Sequence, residues 1–301
     1  MIENTFEEIS ALDTEIIDNS FANIDKMDTI DILNLINQQD QLVPLAVKEI
    51  IADITIIVDK CVECFNNNGR LIYLGAGTSG RLGILDAAEC PPTFGTNLEM
   101  VQGYIAGGKN AFFHAVEGAE DNEEDGINKI IELKINKNDF VCGLTASGRT
   151  PWVIAALKQA KLQNAFTCLI TTNRNKKYSD LNFIDNVICP KVGPEVIAGS
   201  TRMKSGTAQK LILNMLTTTT MIRLGKTYKN IMIDLQPKNK KLKERAKRII
   251  MVITGADITT AEQMLLDTEY NVKIALVRII YGLNNEEAIK YLEKNKGKIR
   301  I

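Results

Sequence analysis

The residues best suited to chemistry lie in three turns rich in glycine and hydroxyls. The first follows the apolar run Leu71–Leu74, where Gly75, Gly77, Thr78, Ser79 and Gly80 lead into a helical stretch, Arg81–Ala88. A helix N-terminus offers N–H groups without intrahelical partners and the positive end of the peptide dipoles, so this passage makes an anion site. Ser147-Gly148-Arg149 repeats Ser79-Gly80-Arg81, and Ala155-Ala156 repeats Ala87-Ala88 at the same offset. The second copy also follows an apolar strand and opens a helix. The third turn, Gly199-Ser200-Thr201-Arg202 with Ser205-Gly206-Thr207, opens a long helix ending near Arg223. Hydroxyls and backbone amides together suit a terminal phosphate monoester, whose oxygens accept many hydrogen bonds. Thr78, Ser79, Ser147 and Thr150 are the candidate phosphate ligands, with Gly80 and Gly148 allowing close backbone approach. Arg81 and Arg149 either join them or pair with acids.

Gly75-x-Gly77-x-x-Gly80 also satisfies the dinucleotide fingerprint, with Glu99 near the place of the ribose carboxylate. Two features oppose it: hydroxyls crowd the turn, and the second turn repeats Ser-Gly-Arg without three glycines. Among the acids, Glu89 follows the helix and is pinned by Cys90-Pro91-Pro92, an odd place for a merely solvated side chain. The run Glu117, Glu120, Asp121, Glu123, Glu124, Asp125 reads by itself as a solvated helix end, with Glu117 one turn before Glu120. His114, the sole histidine, sits beside Phe112 and Phe113 and reads as packing or support for a site. Cys61 and Cys64 form a CxxC late in a helix, with no second CxxC, and read as structural rather than metal-binding or redox-active.

The elements that must position these groups alternate. Strands are expected at Leu71–Leu74, from Met100, at Phe140–Leu144, Phe166–Thr171 and Val187–Pro190, with helices over Asn110–Leu133 and Pro151–Lys161 between them. Such alternation predicts an α/β fold, a parallel sheet flanked by helices on both faces. The turns then sit at the carboxyl ends of the strands, where open α/β sheets bind ligands. Residues 5–66 read as helical, with Thr29 as a cap, and helices alone follow Pro237. The expected division is a helical N-terminal segment, 1–54, an α/β domain, 55–235, and a small helical C-terminal domain, 236–301.

Net charge is −1 over 301 residues, which leaves no basic surplus for a nucleic-acid partner. The acidic first 40 residues and the basic segment 238–248 read as solvated helix faces. The start, MIENTFEEIS, lacks the basic-then-apolar pattern of a signal peptide, and no apolar run approaches the ~18 residues of a membrane span. Six cysteines scattered through apolar segments fit reduced thiols. A cytoplasmic protein without a membrane partner is the expectation.

Four stretches, LGAGTSGRLGILDAAECPPTFG, AVEGAEDNEEDG, GLTASGRTPWVIAAL and GPEVIAGSTRMKSGTAQKLILNML, closely resemble the N-acetylmuramic acid 6-phosphate etherases. These belong to the sugar-isomerase (SIS) domain superfamily, alongside glucokinase regulatory proteins, and the resemblance spans nearly the whole chain. One departure is Thr145, where a small apolar residue is expected. The resemblance implies a flavodoxin-like three-layer sandwich and cleavage of a D-lactyl ether without a cofactor. It also implies the site. Glu89 protonates the departing lactate oxygen; Glu120 removes the C2 proton, made acidic by the C1 aldehyde of the ring-opened sugar, and later activates water. Ser200, Thr201 and Lys204 contact sugar or lactate, or line a subunit contact. SIS relatives are commonly dimers, so a homodimer is implied. The alternative is a non-catalytic sugar-phosphate-binding regulator of the same class.

Overall fold

A computed structural model describes residues 12–174, 178, 181–235, 237 and 239–299. These divide into two compact units: residues up to Ala88 with Glu99–Leu216, and Glu89–Leu98 with the residues from Thr217 onward.

From residue 12 the first unit runs through turns rather than a helix until Thr29. Asp18 turns its carboxylate onto the N–H of Ser20 at 2.8 Å, and such local side-chain bonds compete with helix formation. Residues 12–28 hold only two short 3-10 turns, and the expected helix before residue 12 lies outside the described residues. Helix α1, Thr29–Lys48, has Asp28 at its N-cap, so Thr29 is its first residue and not the cap. Helix α2, Ile51–Asn66, buries Ile54, Ile57, Val58, Cys61, Cys64 and Phe65 along one face.

Strand β1, Leu71–Gly75, is followed by helix α3, Gly77–Phe94, and strand β2, Val101–Ile105. A single-turn helix α4, Asn110–Phe113, and helix α5, Glu123–Glu132, precede strand β3, Phe140–Leu144. Helix α6, Pro151–Leu162, strand β4, Phe166–Ile170, strand β5, Asn186–Ile188, and helix α7, Lys204–Arg223, follow. The sheet is parallel throughout, in the order β2-β1-β3-β4-β5. β1 and β3 are buried at every residue, as strands covered on both faces must be. Ile72, Leu74, Val141 and Leu169 pack with Ile130, Trp152, Val153 and Leu157 in one core. From β1 the chain goes first to β2 on one side and then to β3 on the other. The crevice therefore opens between the carboxyl ends of β1 and β3.

Four expected elements of the sheet region differ. The helix at Arg81–Ala88 starts at Gly77 and runs through both prolines to Phe94. The single helix over Asn110–Leu133 is broken: Gly118 is left-handed (φ 73°), a 3-10 turn spans Ala119–Asp121, and Asn122 caps α5 by accepting the N–H of Asp125. β4 ends at Ile170 and β5 is the shorter Asn186–Ile188.

In the second unit a hairpin, β6 Thr227–Tyr228 and β7 Ile231–Met232, was not anticipated; its strands are two residues each. Helices α8, Lys240–Thr254, α9, Ile258–Asp267, α10, Val272–Tyr281, and α11, Asn285–Lys294, complete it. Each is capped by an Asn or Asp side chain: Asn239, Asp257, Asn271 and Asn284. The expected helix across 268–271 is interrupted because Glu269 and Tyr270 are both left-handed. Basic α8 buries Ala246, Ile249 and Ile250, half-buried Lys247 meets Glu244 and Glu262, and Lys240, Lys241 and Lys243 are exposed. Its lysines thus form a helix surface, as expected. Among the described residues no single helix is long and apolar enough to cross a membrane.

Candidate active site

Two hydroxyl turns flank the crevice. After β1 the helix begins at once, so Thr78 and Ser79 occupy the first turn of α3, where N–H groups lack carbonyls one turn earlier, while the Gly80 N–H donates to the Ala76 carbonyl at 3.2 Å. Gly77 has φ +52°, and a Cβ there would meet nothing within 4 Å. Gly80 is different: its Cβ would stand 2.7 Å from the Gly75 carbonyl oxygen and from Ile105. Its bareness is needed for the helix to sit on the strand, and Gly77 is where the backbone lies open.

After β3, Thr145 Oγ1 and Thr150 Oγ1 are 2.7 Å apart, and Thr145 Oγ1 is 3.4 Å from Ser147 Oγ. Thr145, where a small apolar residue is expected from the sequence, thus adds a third hydroxyl to the turn. Asn173 Nδ2 donates to the Ser147 carbonyl at 3.0 Å, and Thr171 Oγ1 to that of Ala146 at 3.0 Å. Gly148 is left-handed (φ +70°), and its Cβ would stand 2.2 Å from the Tyr178 hydroxyl. Pro151 then opens α6, a position where a missing N–H costs nothing.

The third turn closes on the first two. Thr172 Oγ1 donates to Ser205 Oγ at 2.8 Å, which ties the strand beside Ser147 to the start of α7. The Thr78 methyl lies 3.5 Å from where a Cβ on Gly206 would stand. Glu195, buried, accepts the N–H groups of Lys204 and Ser205, each at 2.9 Å. A carboxylate of the chain itself therefore fills the N-terminus of α7. Lys204 is buried and donates to Gln39 Oε1 at 3.0 Å, and burial holds its ammonium below the usual lysine value. Ser200 and Thr201 are half-buried in the loop before it. Asp13, taken from the sequence for part of a solvated helix face, accepts the N–H of Arg174 at 2.7 Å and donates its own to Asn173 at 3.1 Å. The start of the chain thus braces the same loops. Neither Glu195 nor Asp13 carries a local sequence signal for these long-range bonds.

Glu120 lies in the 3-10 turn Ala119–Asp121 and is exposed. With Glu117, Ala76, Gly77 and Arg81 it lines a cavity of about 170 Å³. Glu117 is not on a helix with it, but both residues line this cavity. Arg81 pairs with neither; its Nε and Nη2 donate to the carbonyls of Phe112 and Ala111, each at 2.7 Å. His114 is exposed, so it is not a packing residue. Glu89 lies in the second unit, exposed, inside α3 rather than after it. Pro91 and Pro92 supply no N–H to the carbonyls four residues back, which loosens the ladder around Glu89. Cys61 and Cys64 are buried, burial pushes the Cys64 thiol up to about 12, and no metal-ligand cluster exists among the described residues.

A parallel sheet in this order, with paired hydroxyl turns at its switch point, makes the first unit a SIS-type α/β domain. The sequence profile of the glucokinase regulatory protein N-terminal SIS domain matches residues 53–161. The chain is 46% identical over 298 residues to the N-acetylmuramic acid 6-phosphate etherase of Histophilus somni (strain 129Pt), covering 99% of this chain and 98% of that one. It is 50% identical over 276 residues to the same enzyme of Caldanaerobacter subterraneus subsp. tengcongensis, covering 92% and 90%. Among solved structures it is similar to a putative phosphosugar isomerase involved in capsule formation from Bacteroides fragilis NCTC 9343, with a TM-score of 0.49, 18% identity, and 65% and 91% of the two chains covered. The chain belongs to the N-acetylmuramic acid 6-phosphate etherase family.

Proposed function

We propose that this protein cleaves the D-lactyl ether of N-acetylmuramic acid 6-phosphate, a carbon–oxygen lyase step followed by hydration, giving N-acetylglucosamine 6-phosphate and D-lactate. The near-full-length identity with etherases carries this reading. The sugar phosphate is held by Thr78, Ser79 and Gly80 on one side and Ser147, Gly148 and Thr150 on the other. Glu120 removes the C2 proton of the open-chain sugar. The electron pair forms the C2–C3 double bond, the C3–O bond breaks, and Glu89 gives the lactate oxygen its proton. Glu120 then yields that proton through solvent to Glu89, takes a new one from the water that adds at C3, and returns it to C2, which restores both carboxyls. The protein's part in each step is a proton taken from or given to carbon or oxygen, so two positioned carboxylates supply the chemistry.

Ser200, Thr201 and Lys204 contact the sugar or lactate, or line a subunit contact, in a cytoplasmic homodimer without nucleic-acid or membrane partners. The functional division we propose is 1–54, 55–235 and 236–301. One observation favours a second reading, a non-catalytic sugar-phosphate-binding regulator: the matching profile is that of a regulatory protein's SIS domain. Incubation with N-acetylmuramic acid 6-phosphate separates the two. An etherase releases D-lactate and N-acetylglucosamine 6-phosphate in equal amounts, and Glu89→Gln or Glu120→Gln lowers the rate by roughly 100-fold or more. A regulator binds the sugar phosphate and releases no lactate.

A further inference from the structure

The loop that carries Glu117 and Glu120 is gripped at both ends, and each grip comes from the helix that follows one of the two hydroxyl turns. At its start, Arg81, the residue after Gly80, donates to the last carbonyls of α4, Ala111 and Phe112. At its end, Trp152, two residues after Thr150, donates Nε1–H to Asp125 Oδ2 at 2.6 Å. Asp125 is fixed in turn, since its N–H is bound by the Asn122 cap at 3.0 Å. Trp152 is fully buried, and α6 packs against the 3-10 turn that bears Glu120. Arg81 thus holds the helix that leads into this loop, and Trp152 the helix that follows it.

We propose that Arg81 and Trp152 are positioning residues that transmit the seating of the substrate phosphate in the two hydroxyl turns to the carboxylate of Glu120. This rests on the proposed etherase reaction. A phosphate drawn into both turns fixes the first residues of α3 and α6, and these hold the acidic loop at the distance proton abstraction requires. Binding energy from a non-reacting group is thereby used at the reacting carbon.

The test measures kcat and KM for lactate release, with the affinity for N-acetylglucosamine 6-phosphate as a separate readout of the phosphate turns. Arg81→Met and Trp152→Phe are expected to lower kcat roughly tenfold to a hundredfold, as misplacement of a catalytic group does, while product affinity stays within about twofold. Asp125→Ala should behave like Trp152→Phe, and Asp125→Asn, which keeps an acceptor oxygen, should recover most of that loss. Thermal melts identify any variant that fails to fold; the Asp125 pair leaves the Trp152 ring in place and decides the Trp152 half even if Trp152→Phe does not fold. Unchanged kcat in Arg81→Met and Asp125→Ala, with wild-type lactate release intact and lost in Glu120→Gln, overturns the positioning role and leaves the etherase reading standing. No lactate from the wild-type protein overturns both.

Discussion

Glu195 reaches forward to Lys204, accepting its N–H at 2.9 Å and that of Ser205 at the same distance. The buried carboxylate sits where an anion would otherwise bind the N-terminus of α7. The two turns after β1 and β3 are thereby left to the ligand.

The cap is therefore expected to be a stability element. Glu195→Ala strands two N–H groups and removes the charge facing the helix dipole, at a cost of about 2–4 kcal/mol when cap and desolvation losses combine. Glu195→Gln keeps one acceptor oxygen and should lose about half of that. Guanidinium unfolding of both variants is the measurement; an unchanged midpoint in Glu195→Ala would contradict the role.

The two glycines of the first turn should separate folding from binding. Gly80→Ala pushes a methyl against the Gly75 carbonyl and Ile105 and is expected to cost about 1–3 kcal/mol of stability, as overpacking does. Gly77→Ala carries the strain of a positive φ, about 1–2 kcal/mol, but its methyl points into open space. The protein should fold and bind N-acetylglucosamine 6-phosphate more weakly. Isothermal titration of the folded Gly77→Ala protein checks this; unchanged affinity would place the ligand elsewhere.

Lys273 gives a pH dependence of stability. Its Nζ lies 2.9 Å from Asp234 Oδ2, and burial holds its ammonium below the ordinary 10.5 despite that partner. Between the lowered value and 10.5 the unfolded chain binds a proton that the folded one does not, so stability rises with pH across that window. Below the window the cost of burying the charge is fully present. Lys273→Met should flatten the alkaline rise. Lys204 carries a shift of the same sign and cause, so the double variant should flatten it further. Denaturant midpoints across the alkaline range test this, and a slope equal to wild type in the double variant would refute it.

Strands β1, β3 and β4 were legible because buried parallel strands are continuous apolar runs, and Leu71–Leu74 or Phe140–Leu144 allow little else. The hydroxyl turns were legible for a similar reason: Ser79-Gly80-Arg81 and Ser147-Gly148-Arg149 each follow such a run. What was missed depends on single residues or on distance. The break before Glu120 begins where His114 turns extended and takes in left-handed Gly118 and the cap at Asn122, single-residue features inside a stretch that otherwise reads as one helix. Glu195 and Lys204 are joined by a bond that no local pattern announces, and Asp13 meets Arg174 from far along the chain. The hairpin at Thr227–Met232 has strands too short for periodicity to register.

Thr145, placed where a small apolar residue is expected, makes a further prediction. It is buried at 3% exposure, and its hydroxyl stands 2.7 Å from Thr150 Oγ1 and 3.4 Å from Ser147 Oγ. A buried hydroxyl with two such neighbours orients them, fixing which lone pairs and protons Thr150 and Ser147 turn toward the crevice. Thr145→Val keeps the shape and removes the hydroxyl, at a cost of about 1 kcal/mol. KM for the sugar phosphate should rise about fivefold, the same energy read as affinity, with kcat nearly unchanged because no reacting atom is touched. Thr145→Ser keeps the donor and should restore KM. Steady-state lactate release for the three proteins decides it: equal KM in Thr145→Val and wild type would mean that Ser147 and Thr150 hold the phosphate without help from below.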